Sequence, residues 1–304
     1  MCKQLQRPII EKKFAVKFGT LLKISRPGLW FPTLWIYILP LGGQLDLLNH
    51  IEFWLGLLFV LFPLNLFVYS LNDLGDVDAD AFNIRKGNFL FGAKASKEKL
   101  VKACKIGSWV LGIFALLFYF ISGWKMLVLF GAIVLINYIY NFPPWRIKSR
   151  PPFELFIQIG YILTAVFSSV LNEVALIPWQ AFIYLVFFCF QAHLAGEIMD
   201  IDPDRLAKKT TTASVLGRQK AKWLMVILLC AEVYILSFWF QDYVLASVLA
   251  LFVLWLLLDI FILFKSKSYT LNQMYLFGYG MNAIGIASML WILYTGKLLL
   301  PLWP

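Results

Sequence analysis

Residues 52–80 read EFWLGLLFVLFPLNLFVYSLNDLGDVDAD. After Glu52 no charge appears until Asp73, and then Asp76, Asp78 and Asp80 follow at once. A bilayer-spanning helix needs about 20 mainly apolar residues. The stretch is therefore a membrane helix, here 52–72, that closes on an aspartate cluster.

Working outward, eight further apolar blocks fall at about 28–45, 103–122, 124–141, 153–171, 178–199, 221–240, 244–264 and 273–296. Irregular backbone cannot face lipid, so each block is expected to be helical. The whole chain of 304 residues is 61% hydrophobic and 14% charged, against about 25% charged in soluble domains. This excludes a water-soluble globule and a disordered chain. Cys2, Cys104, Cys189 and Cys230 lie far apart with no C-x-x-C pair, which argues against a zinc site or disulfide framework. The first block is interrupted by Pro32, Pro40 and Gly42-Gly43. No small-residue cleavage site follows it, so it reads as a span rather than a secretory signal.

The formal charge of +10 has a sidedness. With nine spans, 25 of the 27 Lys and Arg residues share the side of the N-terminus, and only Lys125 and Lys297 fall on the other. Basic loops mark the cytoplasmic side, so the N-terminus, with a basic segment at 1–24, and both aspartate loops are expected inside. No nucleic-acid-binding motif accompanies the charge. A surface facing lipid headgroups explains most of it.

Residues spaced three or four apart share one helix face. Asn65, Tyr69, Asn72, Asp76 and Asp80 follow that spacing in the main. A second cluster, Glu197-Ile198-Met199-Asp200-Ile201-Asp202-Pro203-Asp204, closes the sixth block, and His193, Glu197, Asp200 and Asp204 are again helically spaced. Two carboxylates about 6 Å apart repel by about 3 kcal/mol at an effective dielectric near 20. Seven aspartates in two short segments therefore call for a cation between them. Magnesium fits, because it takes oxygen ligands and is held by one or two carboxylates plus substrate phosphates. The plainer alternative is a solvated helix end. Bases surround the clusters: Arg85-Lys86, Lys208-Lys209, and Arg146, Lys148 and Arg150. Carboxylates for a metal with Arg and Lys nearby suit a polyphosphate. There is no glycine-rich phosphate loop, and with only His50 and His193 a nucleophilic triad is not expected.

These residues resemble the membrane prenyltransferases of the UbiA superfamily. Asn72, Asp73, Asp76 and Asp80 match its N-D-x-x-D-x-x-x-D pattern. Asp200 and Asp204 match its D-x-x-x-D pattern, continued by Arg205, Thr210-Thr211-Thr212 and Leu216-Gly217. Tyr140-Asn141-Phe142-Pro143-Pro144-Trp145-Arg146-Ile147-Lys148 resembles the tyrosine-proline-proline-basic loop, and Ser25-Arg26-Pro27 also fits. The resemblance runs in order over nearly the whole chain. An Asn83-Ile84-Arg85-Lys86-Gly87 segment stands where many members carry Arg-Pro. In this the chain is most similar to the carotenoid-elongating, lycopene elongase-like branch, with the chlorophyll-synthase and archaeal ether-lipid branches close.

The resemblance implies one all-α membrane-embedded domain over 1–304: about nine transmembrane helices around a central cavity, open toward lipid, with a cytoplasmic cap. It implies magnesium at Asn72, Asp76, Asp80, Asp200 and Asp204, and diphosphate binding by Asn72, Arg85, Lys86, Arg146, Lys148 and Lys208. The four aspartates and Tyr140 would carry catalysis, with Tyr69 and Tyr140 beside an allylic cation. The donor would be a prenyl diphosphate and the acceptor lipophilic. A terpene cyclase on the same site remains an alternative. So does a cation transporter, since intramembrane carboxylates also mark ion pathways.

Overall fold

The computed structural model describes residues 16–302, so residues 1–15 of the expected basic segment lie outside the described residues. Every element among the described residues is helical, since backbone polar groups in lipid must be satisfied within their own segment.

Helix α1 (Phe18–Ile24) leads into the first expected span. That span is short: α2 (Phe31–Ile38) continues as a 3-10 turn only to Leu41. Its 11 residues, Phe31–Leu41, reach about 17 Å at 1.5 Å per residue, well short of a bilayer core of about 30 Å. Eight passages among the described residues, rather than nine, are long and apolar enough to cross a membrane. Pro40 and the Gly42-Gly43 pair end the first block early, as proline and glycine are poor at propagating a helix.

The decisive stretch forms α3 (Ile51–Leu61) and α4 (Pro63–Gly75), one 25-residue passage. Pro63 interrupts the hydrogen-bond ladder between them. α5 (Val77–Phe82) follows a break at Asp76. α6 (Lys97–Ser122) and α7 (Trp124–Asn141) form a hairpin at Gly123, whose φ of +80° suits glycine. α8 (Phe153–Phe156), a 3-10 segment (Ile157–Ile162) and α9 (Leu163–Leu171) make the next passage. α10 (Trp179–Leu206), the short α11 (Thr212–Leu216), α12 (Arg218–Phe238), α13 (Tyr243–Phe261) and α14 (Leu271–Thr295) complete the bundle.

α4 packs on α6, α10 on α12, α12 on α13, and α14 on α2. Phe59 joins several of these helices, with ring centroids 5.6 Å from Phe118, 5.0 Å from Phe130 and 5.2 Å from Phe167. Trp109, Ile113, Phe120, Leu251, Leu254 and Tyr294 are exposed on long helices, where a bilayer covers them. One buried ion pair ties the last helices together: Lys222 Nζ lies 2.7 Å from Asp259 Oδ2, which also accepts from the Tyr269 hydroxyl at 2.5 Å. Buried charge persists only when paired in this way.

Candidate active site

α4, α5 and α10 bring the two aspartate motifs to opposite walls of one cavity of about 310 Å³. Its lining includes Asn72, Asp76, Asp80, Tyr140, Asp200 and Asp204, together with Arg26, Arg85, Lys86, Lys148 and Lys209. A continuous helix through residues 69–80, the reading that spacing suggests, is not what forms. Asp76 adopts φ −119°, ψ 17° between α4 and α5, although the Asp80 amide still donates to the Asp76 carbonyl at 2.8 Å. In α10 the helix passes through Pro203 to Leu206, so Asp204 stays on the wall with Asp200.

Each motif aspartate is met by a cation. Lys148 Nζ lies 2.8 Å from Asp76 Oδ1 and Lys209 Nζ lies 3.3 Å from Asp76 Oδ2. Burial alone would push the Asp76 carboxyl up, but the ammoniums of Lys209 and Lys148 outweigh it and hold the carboxyl well below the usual range. Lys209 also stands 3.7 Å from Asp204, and its own proton is held more tightly than usual because these aspartates overcome the cost of burial. Lys86 Nζ is 2.9 Å from Asp80. Burial and nearby Asp73 nevertheless push the Asp80 carboxyl up to about 6 against the pull of Lys86. Arg85 pairs with Asp200, which also accepts from Asn83 Nδ2 at 2.9 Å. The segment after the first motif thus closes over the second.

Several sequence-expected residues are placed differently. Lys208 is exposed, with φ +54° just past the end of α10. The next amide, Lys209 N, donates back to the Asp204 carbonyl at 2.8 Å. That turn aims Lys209 rather than Lys208 into the cavity. Arg146 is exposed outside the lining and donates to the Gly75 carbonyl at 3.2 Å. Tyr69 lines the cavity, but the Arg26 guanidinium already lies 4.4 Å from its ring centroid. Tyr140 keeps its place in the lining.

Spacing alone missed Asp73. It is buried and pairs with Arg26 at 2.5 Å and Lys86 at 2.6 Å, so it anchors two lining cations from behind. Its presence in the first motif was the available signal. Glu154 was also missed. It is fully buried and accepts from the Thr212 amide at 2.6 Å and the Thr212 hydroxyl at 2.5 Å, while Glu197 Oε2 accepts from the Ala213 amide at 3.0 Å. These bonds lock the threonine run after the second motif, where the Thr211 hydroxyl reaches Asp204 at 3.4 Å.

The candidate metal donors, Asn72, Asp76, Asp80, Asp200 and Asp204, offer only oxygen, the donor type magnesium takes. Among the described residues no three His, Cys, Asp or Glu side chains form a ready metal cluster. The residues therefore fit an ion completed by phosphate and water, not a closed protein cage.

The model of the UbiA prenyltransferase family matches residues 29–282. Over 229 residues the chain is 29% identical to a lycopene elongase/hydratase of Haloarcula japonica, covering 73% of this chain and 76% of that protein. It is 29% identical over 224 residues to a lycopene elongase/hydratase of Corynebacterium glutamicum, covering 70% and 74%. Its fold matches a UbiA homolog from Archaeoglobus fulgidus bound to GPP and Mg2+ at a TM-score of 0.64, with 17% identity over 90% of this chain and 99% of that one. The same homolog bound to DMAPP and Mg2+ gives the same score. Two aspartate motifs facing across one cavity, on a bundle of membrane-spanning helices matched along most of its length, place this chain in the UbiA prenyltransferase family.

Proposed function

We propose that this chain transfers a prenyl group from a prenyl diphosphate to an apolar isoprenoid acceptor, releasing diphosphate. One observation carries the reading: the two aspartate motifs and five cations share the cavity with an apolar set, Leu29, Phe31, Ile36, Val68, Phe188 and Met281, among neutral polar side chains such as Thr33, Gln158 and Gln191. The charged groups suit a metal diphosphate and the apolar set suits hydrocarbon. The relatives named lycopene elongase/hydratase and the homolog bound to GPP and DMAPP support it.

The charge pattern explains how the charged groups work. Asp76, Asp80, Asp200 and Asp204 would hold magnesium, which supplies charge neutralisation of the leaving diphosphate. With their carboxylate partners so engaged, Lys86, Lys148, Lys209 and Arg85 turn their donors to the phosphate oxygens. Breaking the donor's C–O bond puts negative charge where these cations already stand. The apolar walls keep water from the allylic cation, and Tyr140 offers a ring face or edge beside it.

The acceptor follows from the same inventory. Arg26 is held by Asp73, and the other Lys and Arg of the lining, each paired with an aspartate, would turn to the diphosphate, so none is left to pair an acceptor carboxylate in the apolar part. A buried unpaired carboxylate is strongly disfavoured. The aspartate end, with the basic loops, would face the cytoplasm.

The test supplies purified protein with magnesium, prenyl diphosphates of several lengths, and either lycopene or 4-hydroxybenzoate. Prenylated lycopene is the expected product, absent with Asp76→Ala or Asp204→Ala. Prenylation of the hydroxy acid alone would move the acceptor to another branch. A cyclised hydrocarbon made without acceptor would replace transfer by cyclisation.

A further inference from the structure

His193 and Glu197 lie one turn apart on α10, and both line the cavity. His193 Nε2 stands 3.2 Å from Glu197 Oε1. The other oxygen of Glu197 is fixed by the Ala213 amide at 3.0 Å, so the carboxylate is clamped, and its Oε1, without a hydrogen-bond partner among the described residues, is left beside the imidazole. Glu197 is buried, while the His193 side chain keeps 24% exposure. Among the described residues Nδ1 of His193 makes no hydrogen bond. A carboxylate this near favours the tautomer with its proton on Nε2, which leaves Nδ1 a free lone pair. The Tyr140 ring stands edge-on at 6.3 Å from the imidazole. Seven residues separate His193 from Asp200, which is about 10 Å of helix rise. The imidazole therefore stands about two turns of α10 from Asp200, on the same cavity wall.

We propose that His193 is the base that takes the proton released in prenyl transfer and that Glu197 is its positioning residue, an assignment that rests on the prenyltransfer reading above. Alkene prenylation that ends in a new double bond requires such a base. The donor C1–O bond breaks and its electron pair leaves on diphosphate. C1 takes the π pair of the acceptor double bond, which forms the C–C bond and leaves a positive charge on the neighbouring tertiary carbon. Nδ1 removes a proton from the carbon beside that centre, and the C–H pair closes a new double bond. The imidazolium so formed lies against the Glu197 carboxylate. Charge and atoms balance with no oxidant or reductant. The carboxylate–imidazole arrangement holds one tautomer and stabilises the cation, which is the role a buried acid plays behind a general-base histidine.

The experiment uses the full-length protein in liposomes with magnesium, a prenyl diphosphate and lycopene, and counts released diphosphate and coupled alkene separately. For His193→Ala, coupled alkene should fall about 100-fold while diphosphate release changes by less than about threefold, the coupled tertiary cation being captured by water as a coupled alcohol. Added imidazole should restore the coupled alkene to His193→Ala but not to Asp76→Ala. For Glu197→Gln the amide still accepts from Ala213, yet its NH2 must donate to Nε2. That moves the imidazole proton to Nδ1, so the coupled alkene should fall and imidazole should not rescue it. A His193→Ala protein that makes the coupled alkene normally, or one that loses diphosphate release along with it, overturns the assignment. A wild-type protein that releases no diphosphate from any prenyl donor overturns the prenyltransfer reading itself, and this assignment with it.

Discussion

The fully buried ammonium of Lys148 sits 2.8 Å from Oδ1 of Asp76, and Lys209 takes the other oxygen at 3.3 Å. The loop after α7 and the turn after α10 thus meet on one carboxylate of the first motif. That single carboxylate links three parts of the chain which the sequence keeps far apart.

Lys208 and Lys209 offer a paired test of this geometry. Lys209 touches Asp76 and Asp204, whereas Lys208 is exposed. Lys209→Ala should lower kcat/KM by about 100-fold, equivalent to about 2.7 kcal/mol. Lys208→Ala should stay within about threefold of wild type, as substitutions of exposed residues usually do. Steady-state diphosphate release separates them, and equal losses would contradict the placement of the two side chains.

Gly75 is the second point of control. A Cβ there would lie 2.5 Å from Lys148 Nζ. The clash is with the tip of a flexible side chain, so folding should survive Gly75→Ala. The ammonium would be pushed off Asp76. Activity should fall by about tenfold, or about 1.4 kcal/mol, with a melting temperature near that of wild type. Lys148→Ala is the harsher change, because it removes one partner of a buried pair, and should cost about 3 kcal/mol in stability. Thermal melting in detergent measures both.

Asp80 gives a pH dependence of definite sign. Its carboxyl is pushed up to about 6 in the folded protein, against about 3.9 for a free aspartate. The folded state therefore binds more protons than the unfolded one between those values, and stability falls as pH rises through that window. Metal-free protein should melt at a higher temperature at pH 4.5 than at pH 7, and Asp80→Asn should reduce the difference, the remainder coming from Asp204, whose carboxyl burial pushes up to about 7. Asp76, held low, contributes with the opposite sign, and its contribution is lost only as the pH drops below about 4. Melting curves in chelator from pH 4.5 to 7.5 check the window, and an unchanged slope in Asp80→Asn would contradict it.

Sidedness can be read with one thiol. Ser96 is exposed at the start of α6, on the loop that follows the first motif. In a background without the four native cysteines, Ser96→Cys should react with an impermeant thiol reagent only after the cells are opened. Labelling of intact cells would place the aspartate loops outside.

Much was legible in the sequence because lipid imposes a simple rule. The eight long passages follow from unbroken apolar runs, since a span has no way to satisfy its backbone except as a helix. The aspartates on both walls, Lys148 and Arg85 were legible as chemistry, because carboxylates concentrated at two helix ends repel unless something cationic joins them. The first block is shorter than its apolar length suggests, because the Pro40 and Gly42-Gly43 interruption visible in the sequence does end the helix.

Direction was set by the packed fold. Sequence placed Lys208 and Lys209 side by side, and the left-handed turn at Lys208 settled which of them enters the cavity. Helical periodicity set Asp73 off the face of Asp76 and Asp80, yet Arg26 and Lys86 reach it from behind that face. His193 and Glu197 were visible as residues one turn apart. That Glu197 is clamped by the Ala213 amide, so that the imidazole stands in the cavity rather than in lipid, depends on α11 folding back on α10. Composition and period fix which segments leave water, because that is a one-dimensional property of the chain. Which side chain meets which depends on backbone turns of a single residue and on partners far away in sequence, and no local pattern encodes those.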